Sequence, residues 1–483
     1  MIHHYEYCIK KNREIGIVTE VRDFLVKVQG LPGAVIGEGI AFRTGENGRV
    51  IKLQPNEVEV LVFSRSPVKS GIQAGRSGKS LSISCSEKVL GQVVNVFGHL
   101  FSGHKKKVIS LSESREIEKN PIGIAGRKKI SRSLSTGVAI VDLLVPLSHG
   151  QRELVIGDRK TGKTQFILKT IIQQIKLGTI CVYCMIGKRS QEVKAIEEFF
   201  KQNGLLEKSV LVVSTSSSSP GEIVYAPYTA MTLAEYFRDQ GKDVLLIFDD
   251  LTVHAKYYRE IALLSGTFPG REAYPGDIFH FHSNLLERAG CFNLFEKEVA
   301  ITCLPIAESL ASDLAGYIQT NLMSMTDGHL FFDSENFAQG RRPAVNIFLS
   351  VTRVGRQALT PLFRDINSKL TIFMKKYENT QKFLRFGSEL PEEIKNTLIL
   401  GEAFWKFFRQ TDFKPLPPEL QAVFISAICL GLWDGQNATN IVEKISPEEH
   451  SFLKNLVNQN SFLYNLNKSV SKEQKFIINL IER

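Results

Sequence analysis

The eight residues Gly157-Asp158-Arg159-Lys160-Thr161-Gly162-Lys163-Thr164 have the spacing of a loop that wraps a row of phosphates. Glycines at its two turns let the backbone N–H groups face inward toward phosphate oxygens. The run ELVIGD before it predicts a strand, and TQFILKTII after it predicts a helix whose N-terminus adds partial positive charge. Lys163 is placed to reach the β and γ phosphates. The Thr164 hydroxyl is the expected ligand of a Mg2+ ion that keeps water and phosphate oxygens as its other ligands. These eight residues, with Gln165 in the first helical turn, are the candidate contacts to a nucleoside triphosphate. A plain Gly-rich turn is the bland alternative, and the strand–loop–helix context argues against it.

A second element is Val244-Leu245-Leu246-Ile247-Phe248-Asp249-Asp250. An apolar strand ending in Asp puts a carboxylate at the C-terminal edge of a sheet, where ligands bind in open α/β folds. Asp249 is the candidate for the Mg2+ shell, against a helix-capping role; for Asp250, capping and direct contact are equally open. Hydrolysis needs more, including a group that orients water. Its natural place is the end of the next strand, ICVYCMIG, but Gly187-Lys188-Arg189-Ser190 follows. A charged Lys188 cannot accept a proton, and Glu192, further on in a helix, is poorly placed to substitute. The residues are suited to holding ATP or ADP and unsuited to cleaving it.

These groups need a scaffold. Residues 14–66 alternate apolar and polar in short runs broken by Gly, Pro and Asn, the mark of a small β-barrel. Residues 67–132 read as connecting structure plus the edge of the next domain, and the basic pieces His104–Lys107 and Arg127–Arg132 are expected to form a solvated face. Between 133 and 355, near-continuous apolar runs alternate with helical patterns, predicting a parallel sheet covered on both faces. After 362 only helix-period patterns remain, including the tail stripe FLKNLVNQ. The expected architecture is multidomain. A short arm (1–13) leads to an N-terminal β-barrel (14–75), a central α/β phosphate-loop domain (76–361) and a C-terminal α-helical domain (362–483).

Composition is consistent with this. The chain has 483 residues, 43% hydrophobic and 23% charged, with a net charge of +10. At about 150 residues per domain, three domains are expected. The basic excess is small for this length and does not call for a nucleic-acid partner. The longest apolar run, Val423–Trp433, falls short of the roughly 20 residues of a membrane span and reads as a buried helix. The polar N-terminus carries no secretion signal, and seven scattered cysteines fit reduced thiols in a cytosolic chain. Cys181 and Cys184 lack the second ligand pair of a zinc site.

The collinear segments GQREL, GDRKTGKT, DVLLIFDDLTVHAKYYRE, PGREAYPGDIFHFHSNLLERA, YIQTNLMSMTDG and RRPAVNIFLSVTRVG resemble the alpha subunit of rotary F-type ATPases, the ATP synthases. The likeness runs from EIGIVTEV near residue 14 to LPPELQAVFISAICLGLWDG near 435. It implies a barrel crown, a nucleotide domain and a helical base. It also implies three such chains alternating with three catalytic beta chains around a gamma shaft, joined to a membrane rotor and stalk sector. The chain would sit in the soluble head at the cytoplasmic face of the inner membrane, binding Mg-ATP without turning it over. Arg353 matches the family's arginine finger, reaching in trans into the beta site. Arg342 and Pro343 match the Arg-Pro of the base pocket, and Gln410 the first of its two glutamines.

Departures from the family pattern are local. Lys188 stands where beta chains have Glu and alpha chains Gln. Lys160 replaces a Gln of the phosphate loop, Asp412 the second base-pocket Gln, and Thr352 a Ser. Leu310-Ala311-Ser312-Asp313 stands for Gln-Ala-Gly-Asp at a subunit contact. Only 13 residues precede Glu14, where family alphas carry a stalk-gripping arm. Asp249-Asp250-Leu251-Thr252-Val253-His254-Ala255 resembles the alternate, often sodium-coupled, branch. A self-sufficient hexameric NTPase of the secretion type would need a Glu near 188, and an RNA-translocating hexamer would lack the alpha-type C-terminal region.

Overall fold

The computed structural model describes residues 5–66, 68–101, 113–294, 297–384, 391–446, 448–449 and 451. The basic piece 104–107 and the tail stripe 452–459 lie outside them. The described residues gather into two compact units. The first holds Met1–Lys129, Gly178–Glu308 and Leu314–Thr326; the second holds Ile130–Leu177, Ser309–Asp313 and Asp327–Arg483. Along the chain the classes follow the expected order of barrel, α/β region and helical region.

In the first unit, a helix over Tyr5–Asn12 precedes six strands: Gly16–Arg22, Leu25–Gln29, Glu38–Phe42, Asn47–Leu53, Glu57–Val62 and Gln73–Ser80. They close into a barrel in the order one, two, five, four, three, six, which leaves no free sheet edge. Alternation puts Val18, Val26, Val28, Ile40, Phe42, Val50, Val60 and Val62 inside it. Arg65, just past the barrel, donates to the carbonyls of Ser216 and Ser218 at 2.6 and 3.0 Å.

The same unit carries a parallel sheet in the order Lys297–Glu308, Val244–Asp249, Ile180–Lys188, Ser209–Thr215, Val93–Val94. Its strands are buried along almost their whole length, as the unbroken apolar runs predict. Val93–Val94 is the edge strand of this sheet, drawn from the stretch 67–132. Arg127, expected on a solvated face, instead donates to the carbonyls of Ile122, Glu287 and Ala289 and lies 5.6 Å from the Phe292 ring centroid. A guanidinium with five fixed donors is suited to gathering loop carbonyls that no strand satisfies.

Two buried polar pairs brace the helices on this sheet. Arg288 donates to both carboxylate oxygens of Glu235 at 2.8 and 3.1 Å, to Thr232 Oγ1 and to Ile117 O, with its side chain wholly buried. His254 and His282, also buried, meet ring to ring at 2.9 Å. His254 Nε2 lies 3.0 Å from Val224 O, and a carbonyl only accepts. Nε2 therefore carries the proton, and Nδ1 of the neutral ring accepts from His282 Nε2–H. Burial pushes the His254 imidazole down to about 4.

In the second unit, strand Glu153–Gly157 runs parallel to Gly328–Phe332, which pairs antiparallel with Val351–Thr352. Helices Lys163–Lys176, Pro361–Leu384, Glu392–Phe408 and Pro418–Cys429 belong to it, as do short helices at Ala139–Leu144, Ser334–Ala338 and Ala438–Lys444. Buried Asp142 ties these together, accepting from Thr136 N and Oγ1, Gly137 N and Gln421 Nε2 at 2.6–3.1 Å. The apolar run near 423 is the buried heart of the helix Pro418–Cys429. No helix among the described residues is long and apolar enough to cross a membrane. None of the seven cysteines is in a disulfide. Cys181 and Cys184, three apart on one strand, face opposite sides of the sheet.

Glu235→Ala strands a buried guanidinium and is expected to cost about 3–5 kcal/mol, read as a lowered denaturant midpoint. The histidine pair gives a pH signature. The unfolded imidazole of residue 254 protonates near 6.5 and the folded one near 4. Stability is thus present above pH 6.5 and is lost as pH falls toward 4, at about 1.4 kcal/mol per pH unit for one such group. The double variant His254→Gln, His282→Gln is expected to flatten this dependence in denaturant melts across that range.

Candidate nucleotide-binding site

The phosphate loop lies wholly in the second unit. Gly157 ends the buried strand because nothing larger fits: a Cβ there would lie 2.2 Å from Phe332 O. Gly162 enters the helix at φ +98°, a left-handed conformation that glycine adopts without penalty. Thr161 Oγ1 donates to Asp158 O at 2.7 Å and tightens the turn between them. Arg159, Lys160 and Thr164 are exposed, and Gln165 Nε2 donates to Thr411 O at 2.6 Å. Lys163 is buried, and its ammonium donates to the loop's own Gly157 and Asp158 carbonyls, each at 2.6 Å.

The loop is held from outside by Asp158, whose role the motif alone does not disclose. Its carboxylate accepts from Ser309 Oγ at 2.6 Å and from Ser312 N at 2.9 and 3.0 Å. Burial raises its pKa, but these hydrogen bonds outweigh burial and hold it below the usual carboxylate value. The stretch Leu310–Asp313, expected at a subunit contact, thus also serves as a bracket for the loop.

Of the residues expected around the base, Arg342 donates to Phe337 O and Arg341 O at 2.7 and 2.8 Å, with its guanidinium 3.4 Å from the Phe337 ring centroid. Arg342 and Pro343 line a cavity of about 700 Å3, together with Arg341, Tyr377, Trp405 and Arg409. Gln410 is buried, and its amide is spent at both ends: Oε1 accepts from Ala139 N at 2.8 Å and Nε2 donates to Gly137 O at 3.1 Å. Lys169, which sequence reasoning did not single out, is buried 3.8 Å from Asp412 and donates to Gln410 O at 3.4 Å. Burial pushes its ammonium down to about 8.

Arg353 follows the edge strand Val351–Thr352 and is exposed. Its backbone N–H donates to Asp327 O at 3.0 Å, and Asp327 is itself gripped by Arg152 through both carboxylate oxygens at 2.8 and 3.1 Å. Next to it, Thr352 Oγ1 donates to Pro146 O and accepts from Gly355 N. The backbone beneath Arg353 is therefore fixed. No ion pair engages its guanidinium among the described residues.

In the first unit, strands Ile180–Lys188 and Val244–Asp249 are parallel neighbours, with Met185 opposite Asp249. Lys188 Nζ lies 2.6 Å from Asp249 Oδ1, and Tyr183 donates its hydroxyl to Oδ2 at 2.7 Å. Asp249 is only 4% exposed. Burial opposes the Lys188 charge, but Asp249 and Asp250 outweigh it and hold the ammonium above the usual lysine value. Asp250 caps the helix Leu251–Leu264, accepting from Val253 N at 2.8 Å, and burial pushes its carboxyl up to about 6. Glu192 is likewise a cap, accepting from Arg189 N at 3.0 Å.

This bears on the Mg2+ expected at Asp249. Asp249 does not present the donor set of a Mg2+ shell, because an ammonium holds one carboxylate oxygen and a phenol the other. Magnesium demands near-octahedral oxygen ligands at about 2.0–2.1 Å and tolerates no cation in their place. Lys188 was noted in the sequence as a cation at a strand end. Its partner, 61 positions along the chain, becomes visible only through strand pairing.

Comparison with known proteins bears on most of the chain. The nucleotide-binding-domain model of the ATP synthase alpha/beta family matches residues 137–352, and the C-terminal-domain model of the ATP synthase alpha/beta chain matches 360–482. The ATP synthase subunit alpha of Clostridium acetobutylicum is 38% identical over 414 residues, 86% of this chain and 82% of that protein. The ATP synthase subunit alpha of a Sulfurovum species is 37% identical over 443 residues, 92% of this chain and 87% of that protein. With the barrel, the phosphate loop between strand and helix, and the helical C-terminal region in place, the chain belongs to the ATP synthase alpha/beta family, as an alpha subunit of the F-type.

Proposed function

We propose that this chain binds ATP or ADP without hydrolysing it and lends Arg353 to the catalytic site of an adjacent beta subunit. The observation that carries the non-catalytic half is Lys188: the strand end that would hold a water-orienting carboxylate holds an ammonium bound to Asp249. Phosphoryl transfer depends on positioned charge and an oriented nucleophile, and Lys188 supplies no proton acceptor. Support for the finger comes from an exposed guanidinium on a backbone anchored through Asp327 and Arg152. Such an arginine stabilises charge developing on the transferred phosphoryl group.

In this reading Gly157–Thr164 with Gln165 receive the phosphates, and the exposed Thr164 hydroxyl is the residue of this chain that would meet a phosphate-bound Mg2+. Arg342 and Pro343 wall the base pocket, while Gln410 acts as a brace behind it rather than as a contact to the base. The crown (14–75), nucleotide region (76–361) and helical base (362–483) take the family's places in a hexamer alternating with beta chains around gamma. The membrane rotor and stalk sector selects the coupled ion, and no nucleic acid is involved.

In the complex assembled with its beta and gamma chains, Arg353→Ala is expected to lower ATPase turnover by about 10³-fold or more, and Lys163→Ala to have a milder effect. Rapid ATP hydrolysis by the chain alone, abolished by Lys163→Ala, would refute the non-catalytic assignment. Gln410→Ala, which orphans two buried backbone groups, is expected to cost about 1–3 kcal/mol of stability in denaturant melts while leaving the preference for adenine over guanine nucleotides unchanged.

A further inference from the structure

We propose that Glu153 is a positioning residue for Arg353, acting through the Gln151 side-chain amide and the Thr352 hydroxyl. The inference rests on the reading of Arg353 as an arginine lent to a neighbouring catalytic site, and names what aims it.

The path runs across one row of the sheet in the second unit. Glu153 pairs with Gly328, and Gly328 pairs with Thr352. The middle place has no side chain, so groups from the first strand reach the third. A Cβ on Gly328 would lie 2.6 Å from Glu153 Oε2 and 2.2 Å from Val351 O. Gln151 spans the gap: Nε2 donates to Glu153 Oε2 at 2.6 Å and to Thr352 Oγ1 at 3.3 Å, while Oε1 accepts from Ser148 N at 2.9 Å. Thr352 Oγ1 also donates to Pro146 O at 3.0 Å and accepts from Gly355 N at 3.1 Å. That hydroxyl thus uses its proton and both lone pairs, and it closes the turn that carries Arg353.

Glu153 anchors the path. It is wholly buried, and its Oε1 has no hydrogen-bond partner among the described residues. Burial pushes the carboxyl well above its usual value; the Gln151 bond opposes this, Asp327 adds to it and Arg353 opposes it. An isolated buried carboxylate would be costly, so the group is uncharged and serves Gln151 as a neutral acceptor. Without it the Gln151 amide loses the partner that fixes its rotation, and a buried N–H is left to compete for the Thr352 hydroxyl. A carboxyl that only filled space would act on stability alone, whether or not Arg353 is present.

The test is a double-mutant cycle on ATPase turnover in the complex assembled with beta and gamma chains. Glu153→Leu, which removes the acceptor, is expected to lower kcat about tenfold with KM unchanged. Glu153→Gln, which keeps a neutral acceptor, is expected to stay within about threefold of the wild type. In an Arg353→Ala background, Glu153→Leu is expected to change the residual turnover by less than about twofold. An equal fold loss in both backgrounds overturns the proposal, as does wild-type kcat in Glu153→Leu or a Glu153→Gln loss as large as that of Glu153→Leu. Should Glu153→Leu fail to assemble, Glu153→Asp, which withdraws the carboxyl by one methylene, replaces it in the same cycle with the same outcomes. An Arg353→Ala complex with wild-type turnover refutes the finger reading itself, and the proposal with it.

Discussion

A parallel strand covered on both faces leaves polar chemistry only its ends. In the first unit, Ile180–Ile186 and Val244–Phe248 are apolar and buried without interruption, and the charged groups Lys188, Asp249 and Asp250 come immediately after them. In the second, Glu153–Gly157 is equally buried, and the phosphate loop begins at its last residue. In each unit polar groups therefore stand at the C-terminal ends of strands, because the rest of each strand is closed to them. Caps and braces then fix what the strand ends deliver: Asp250 starts one helix, Glu192 another, and the His254–His282 pair seats the first of these on its neighbours.

The same economy governs charge. In each unit a charged group takes its role from its partner. Asp158, bonded by Ser309 and Ser312, becomes a bracket for the loop. Asp249, paired with Lys188, becomes half of an internal ion pair. Arg353 differs from these groups: among the described residues no ion pair engages its guanidinium, while its backbone is fixed through Asp327.

Local signals were legible in the sequence and distant ones were not. The phosphate loop reads from eight consecutive residues, and the buried strands read from unbroken apolar runs. The barrel reads from period-two alternation between residues 14 and 66. Pairings that depend on strand order escape such reading. Nothing near Lys188 announces Asp249, and nothing near Gln410 announces the backbone of Gly137 and Ala139 that consumes its amide. Arg127 was misjudged for a related reason: a basic cluster looks solvated until the loop carbonyls that need donors are folded around it. The stretch 67–132 was expected to hold the edge of the next domain, but its strand Val93–Val94 is two residues long, too short for periodicity to mark its place.

Lys163 closes the phosphate loop upon itself. Its ammonium reaches back to the Gly157 and Asp158 carbonyls, so the first residue of the helix holds the last residue of the strand. Strand end, loop and helix start are thereby one closed ring, and a change at any one of the three is felt by the other two.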